Sequence, residues 1–176
     1  NDIYPIEQTL GADTAAYETA LFFNNIVNEH TTSSRHLIIH EIMGRNCGWL
    51  TARSAYYYNK IFFDKRLNLP DFNLDHSKWD IHAIYIPEIK INLKNEIKRL
   101  NIIMDRFDCV NIFLSEGAGI ENIIKEKEKN CEQINRDAFG HVRLDELNPG
   151  DWYAKYFSDK LDCHKVLVQK SGYFAR

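Results

Sequence analysis

Apolar positions along the chain switch repeatedly between the spacing of helices and the short unbroken runs of buried strands. Tyr17, Ala20, Leu21 and Phe23 recur at helical spacing after Gly11-Ala12-Asp13-Thr14, which predicts a helix to about Asn28 with Asp13 or Thr14 as its N-cap. Arg35 to Ile42, centred on Leu37-Ile38-Ile39, reads as a buried strand. Gly44 and Gly48 then break the chain, and Leu50 to Tyr58 reads as the helix that follows. Ile81 to Ile86 is a second strand stopped by Pro87, and Leu93 to Asp105 an amphipathic helix with Leu93, Ile97, Leu100 and Met104 on one face. Cys109 to Leu114 is a third strand, ended by Gly117-Ala118-Gly119, and Ile120 to about Asn130 a further helix. After a polar loop, Trp152 to Leu161 reads as helix and His164 to Val168 as the last strand. The stretch Asn59 to Lys78 is irregular and polar-aromatic, expected as surface loop with a helical turn.

This alternation implies an α/β domain of three layers, a mostly parallel sheet with helices on both faces and right-handed crossovers. In such sheets, ligands gather beyond the carboxyl ends of the strands. Met43-Gly44-Arg45, Glu88, Glu116 and the run Lys170 to Arg176 all follow directly after predicted strands. One rule therefore places four separate segments on one rim.

Composition narrows the function classes. With 176 residues, 44% hydrophobic, 27% charged and a net charge of -3, the chain has the profile of one soluble globular domain. No basic block rises above the acidic background, which argues against nucleic acid as a main partner. No apolar run approaches a membrane span and no signal peptide opens the chain, so a cytoplasmic location is expected. Cys47, Cys109, Cys131 and Cys163 are widely spaced without a Cys-x-x-Cys pair, the pattern of reduced thiols. The run Lys125-Glu126-Lys127-Glu128-Lys129 alternates in sign and reads as a solvated helix face. The chain lacks an initiator Met and carries motif residues at both ends, so it is expected to be part of a longer protein.

The candidate chemistry lies in three runs. In His40-Glu41-Ile42-Met43-Gly44-Arg45-Asn46-Cys47-Gly48-Trp49, a Gly directly after a strand lets backbone approach a ligand, and an Arg beside it can fork onto phosphate or a sugar hydroxyl. In Ile86-Pro87-Glu88 the proline fixes the backbone where the strand ends and presents a carboxylate that can accept from hydroxyls. In Lys170-Ser171-Gly172-Tyr173-Phe174-Ala175-Arg176 an ammonium, a phenol and a guanidinium follow the last strand. Together they suit a phosphorylated, hydroxyl-rich sugar. No phosphate-donor loop is present, and Glu116-Gly117-Ala118-Gly119 lacks the Gly-Lys-Ser/Thr ending of a P-loop.

These three runs resemble, in order and spacing, the fructose 6-phosphate side of the phosphofructokinases, and within that family the pyrophosphate-dependent branch. The resemblance implies that Met43, Gly44 and Arg45 contact the sugar, with Arg45 also facing the transferring phosphoryl group. It implies substrate binding by Glu88, Lys170, Tyr173 and Arg176. Asn1-Asp2, with the register of Thr9 to Ala15 behind it, looks like the tail of the family's Thr-Ile-Asp-Asn-Asp catalytic loop. Asp2 would then be a catalytic-loop carboxylate near magnesium, with the base immediately upstream of the chain.

Gly140-His141-Val142-Arg143 is a decoy, since its Arg comes one residue early, and His141 is read as structural. Relatives carry an Arg near the start of the first strand that reaches a neighbouring subunit's site, a role Arg35 or His36 could fill. The family reading implies a fructose 6-phosphate-binding part over residues 1–176, without the donor-binding domain and inactive alone. The parent would be a homo-oligomer, dimer or tetramer, transferring phosphoryl from magnesium pyrophosphate to the sugar's 1-hydroxyl in glycolysis. Two alternatives stand beside it: ATP as donor, or a non-catalytic regulatory sugar-phosphate-binding subunit of the same fold.

Overall fold

A computed structural model of the chain describes residues 9–63, 76–132, 134, 135, 140 and 143–171. Its strands are β1 (His36–Ile42), β2 (Ala83–Tyr85), β3 (Cys109–Ser115) and β4 (Lys165–Lys170). Its helices are α1 (Ala12–His30), α2 (Trp49–Tyr57), α3 (Leu93–Phe107), α4 (Ile120–Lys129), α5 (Leu144–Leu147) and α6 (Pro149–Leu161), with a π-helical turn at Tyr58–Phe63 and a 3-10 turn at His76–Trp79.

The four strands lie in the order β2-β3-β1-β4 and all pair parallel, with His36 opposite Cys109 and Lys165, and Ala83 opposite Ile112. Successive residues of a strand face opposite sides of a sheet. Accordingly, Leu37, Ile39, Val110, Ile112 and Leu114 pack with Leu100 and Met104 of α3, Ile123 of α4 and Tyr153, Phe157 and Leu161 of α6. Ile38, Ile42 and Phe113 pack on the other side with Ala20, Phe23, Ile26 and Val27 of α1, Ala55 of α2 and Tyr58. Two cores with one sheet between them make the expected three layers. All seven residues of β1 and all seven of β3 are buried, which is why both read as unbroken apolar runs.

The connection from β1 to β2 crosses the α1–α2 face and passes over β3. Those from β2 to β3 and from β3 to β4 run the other way along the sheet, over the opposite face. A single hand of crossover demands this reversal. It falls between β1 and β3, whose outgoing chains turn to opposite sides and leave a crevice at their carboxyl ends.

Three features differ most from the sequence expectations. The first helix begins at Ala12 behind Gly11 in a left-handed conformation (φ 78°), and Asp13 caps nothing. Its carboxylate instead takes the Arg53 guanidinium at 2.9 Å and the Tyr57 hydroxyl at 2.5 Å, pinning the start of α1 to α2. The sixth helix starts three residues early, because Pro149 supplies a preset first-turn φ behind Asn148. The polar loop before it holds the short helix α5.

His40 sits in the middle of β1 with none of its surface exposed, ringed by Phe22, Phe23 and Phe113 at 5.2–5.9 Å between ring centres. Neither ring nitrogen has a hydrogen-bond partner among the described residues. Burial pushes its pKa down to about 3, so it is neutral in the folded protein across the ordinary pH range. The unfolded chain binds a proton at His40 below pH 6.5 and the folded chain does not. Stability is therefore present above pH 6.5 and falls as pH drops toward 3, by up to about 1.4 kcal/mol per unit. Thermal melts of the full-length protein at pH 7 and pH 5 should show this loss, and His40→Leu should reduce it. An unchanged pH slope in that variant would show that His40 is not its source.

Candidate functional site

Because every strand runs the same way, the chain leaves all four at one edge of the sheet. In spatial order these exits are Pro87-Glu88 after β2, Glu116 after β3, Met43-Gly44-Arg45 after β1 and Lys170 at the end of β4. The topology produces the expected gathering on one rim for the described residues, to which the last run contributes Lys170 and Ser171.

The centre of the rim is a junction between the turns after β1 and β3. The Glu116 amide donates to the Ile42 carbonyl at 2.9 Å, the Gly117 amide to the Gly44 carbonyl at 3.2 Å, and the Ser115 hydroxyl to the same Gly44 carbonyl at 2.6 Å. Gly44 has a φ of 151°, and a Cβ there would fall 2.5 Å from the Cys47 carbonyl oxygen and 2.6 Å from Ser115 Oγ. At Gly117 a Cβ would lie 1.7 Å from the carbonyl oxygen of Arg45. Glycine is required at both positions, at Gly117 for close backbone approach alone. The effect is to hold Met43 and Arg45, both exposed, in a fixed turn over the crevice.

Glu88 is also placed by backbone. One carboxylate oxygen accepts the Gly48 amide at 2.8 Å, just ahead of α2. That bond is the main reason its pKa lies below the ordinary carboxylate value, and the helix N-terminus favours the same charge. A carboxylate so held stays ionised, and its own amide and the Cys47 thiol also donate to it.

Lys170 does not stand alone. Its ammonium lies 3.4 Å from Glu41 Oε1 and 3.3 Å from Asn148 Oδ1. Glu41, only 8% exposed, receives the Gly150 amide of α6 on its other oxygen at 2.8 Å, and its backbone carbonyl accepts from Ser171. This buried carboxylate belongs to the first motif, yet sequence reasoning gave it no role. The signal was available: an ionisable residue within a run of buried strand positions must be paired.

Arg35 lies at the other end of β1. Its guanidinium donates to Asp105 at 3.0 Å and to the Leu161 and Asp162 carbonyls at 2.6 and 2.8 Å, closing the end of α6. That is a structural role within the chain, and His36, likewise far from the rim, is buried. Arg143, the arginine of the decoy run, pairs with Glu146 at 2.9 Å. Asp2, Tyr173, Arg176 and His141 lie outside the described residues. Among the described residues, no group of three or more His, Cys, Asp and Glu is arranged to hold a metal ion. The magnesium expectation rests on Asp2, which lies outside the described residues.

An α/β domain with a ligand rim at its topological switch point is the class these observations define. Residues 1–147 match the family model of phosphofructokinase. The chain belongs to the phosphofructokinase family. It is 49% identical over all 176 residues to a pyrophosphate--fructose 6-phosphate 1-phosphotransferase of Methylotuvimicrobium alcaliphilum, and 50% identical to that of Propionibacterium freudenreichii. A protein of the same name from Mastigamoeba balamuthi is 49% identical. The chain spans 43% of the length of each of these relatives. The fold matches crystal structures of pyrophosphate-dependent phosphofructokinases from Nitrosospira multiformis and Marinobacter aquaeolei, with TM-scores of 0.53 and 0.55. Identity to these two is 17% and 18%, and each match covers 94% of this chain and 32% of the other.

The β1–β3 junction makes a direct prediction. Gly117→Ala forces the turn away from Arg45 and should destabilise the full-length protein by roughly 1–3 kcal/mol. The check is a denaturant or thermal melt, in which wild-type stability would refute the close approach.

Proposed function

We propose that this chain is the sugar-phosphate acceptor part of a pyrophosphate-dependent phosphofructokinase that transfers a phosphoryl group to the 1-hydroxyl of fructose 6-phosphate. The observation that carries the reading is the Met43-Gly44-Arg45 turn, fastened to Ser115 and Gly117 at the switch point of a parallel sheet. The kinship of the chain to relatives bearing the pyrophosphate name favours that donor over ATP. Intact Met43-Gly44-Arg45 favours catalysis over a regulatory subunit of the same fold.

Phosphoryl transfer asks the protein for positioning and charge neutralisation rather than covalent chemistry. Arg45, projecting from a turn whose backbone is locked, would neutralise charge on the group in flight while Gly44 keeps the backbone close to the sugar. The Glu88 carboxylate, ionised and anchored to the start of α2, would accept from sugar hydroxyls. Lys170, held between Glu41 and Asn148, would supply positive charge to the sugar phosphate, with Tyr173 and Arg176 beyond it. Magnesium, if bound through Asp2 and the rest of the full-length protein, would screen the donor's charge. Location in the cytoplasm, a place in glycolysis and a homo-oligomeric state complete the proposal.

The test follows fructose 1,6-bisphosphate formation by the full-length protein with magnesium and either pyrophosphate or ATP. Turnover with pyrophosphate is expected, and Arg45→Ala should lower it by about 10³-fold. A thermal melt of the variant, read beside its activity, separates lost chemistry from lost fold. Turnover with ATP alone would overturn the donor, and fructose 6-phosphate binding without turnover would make the domain regulatory.

A further inference from the structure

We propose that the acceptor rim takes up a proton together with its phosphorylated ligand, and that the Glu116 carboxyl is the group that receives it. The proposal rests on the sugar-phosphate reading of the rim and adds to it a coupling between ligand charge and protonation.

Four charged groups meet where β4, β1 and β3 end. Glu41 and Lys170 are opposite one another in the β1–β4 register and pair at 3.4 Å. Glu116 opens the turn after β3, two residues after Leu114, which is itself opposite Glu41, and the two acids lie close enough to repel. The Glu116 backbone is bonded to Ile42 at 2.9 Å, which fixes it beside the turn that carries Arg45. Among the described residues the charged groups facing Glu116 are Glu41 from β1, Arg45 from the turn after it and Lys170 from β4. These described groups make two acids and two bases.

The two acids are not equivalent. Glu41 is committed, with the α6 amide on one oxygen and the Lys170 ammonium on the other. Glu116 is half-buried and has its carboxyl pKa raised, first by loss of solvent and then by Glu41, against a smaller opposing pull from Arg45 and Lys170. A phosphate monoester drawn to Arg45 and Lys170 brings close to two negative charges and engages the cations that help keep Glu116 ionised. The cheapest relief of that repulsion is a proton from solvent on a Glu116 carboxylate oxygen, which leaves Glu41 and its bonds intact. By linkage, binding then weakens as pH rises through the window between the ligand-free and ligand-bound pKa of Glu116.

Calorimetric titration of the full-length protein with fructose 6-phosphate, in buffers of different ionisation enthalpy at pH 6.5, 7.0 and 7.5, reads the protons exchanged. Wild type should take up roughly 0.3–1 more proton per site than Glu116→Gln, with a correspondingly steeper fall of affinity with pH. The Gln variant should bind at least as tightly as wild type at pH 7.5. Wild-type binding without proton uptake at any of these pH values overturns the proposal even if the variant fails to fold. Equal uptake in both proteins overturns Glu116 as the acceptor. Absence of any fructose 6-phosphate binding would instead remove the sugar-phosphate reading, and the coupling with it.

Discussion

The parallel pairing of β1 with β3 is the constraint on which the rest of the domain depends. Seven residues of each strand are buried on both faces, so neither strand can exist without a helical layer on each side. The α1–α2 layer and the α3–α4–α6 layer answer that requirement separately, each with its own core. Since the two strands send their chains to opposite faces, the place of greatest burial adjoins the one place where the sheet opens. The ligand rim is thus a by-product of how the central strands are covered.

That arrangement forces unusual choices on the polar residues of β1. His40 and Glu41 are neighbours, point to opposite faces and meet burial in opposite ways. On the α1–α2 side, His40 gives up its charge and lies among phenylalanine rings. On the other side Glu41 makes bonds to an ammonium and a helix N-terminus. A buried carboxylate with both oxygens engaged is worth little as net stabilisation but is costly to leave half-paired. Its consequence is geometric: β4, the start of α6 and the Lys170 ammonium are tied to the strand that ends in Met43-Gly44-Arg45.

Much of this was legible in the sequence, because apolar runs and strand-end glycines are local signals. The strands were placed to within a residue or two and the three layers followed from their alternation with helices. Met43, Gly44, Arg45, Glu88 and Lys170 were assigned to one edge by topology alone. What escaped depends on partners distant in the chain. Asp13 looks like an N-cap until Arg53 and Tyr57, forty residues later, compete for its carboxylate. Glu88 reads as a free acceptor until Gly48 is seen to occupy one of its oxygens. Gly117 reads as a turn glycine, and only the proximity of Arg45 reveals that a methyl group would not fit.

The rim as proposed also shows how a surface could take a phosphate without being strongly basic. A lysine already paired with a buried carboxylate keeps a fixed position and loses little side-chain freedom when a ligand arrives. An arginine on a locked glycine turn has the same advantage. The cost is that acids lie beneath the cations, and any anion must be accommodated against them. Glu88, held on a helix N-terminus, and Glu41, held on another, have their charges stabilised by backbone. Glu116 has its backbone pinned, but among the described residues no amide donates to its carboxylate, and it is half-buried. Of the three acids on the rim, it is the one whose charge the fold supports least, which makes its protonation state the most responsive to what binds above it.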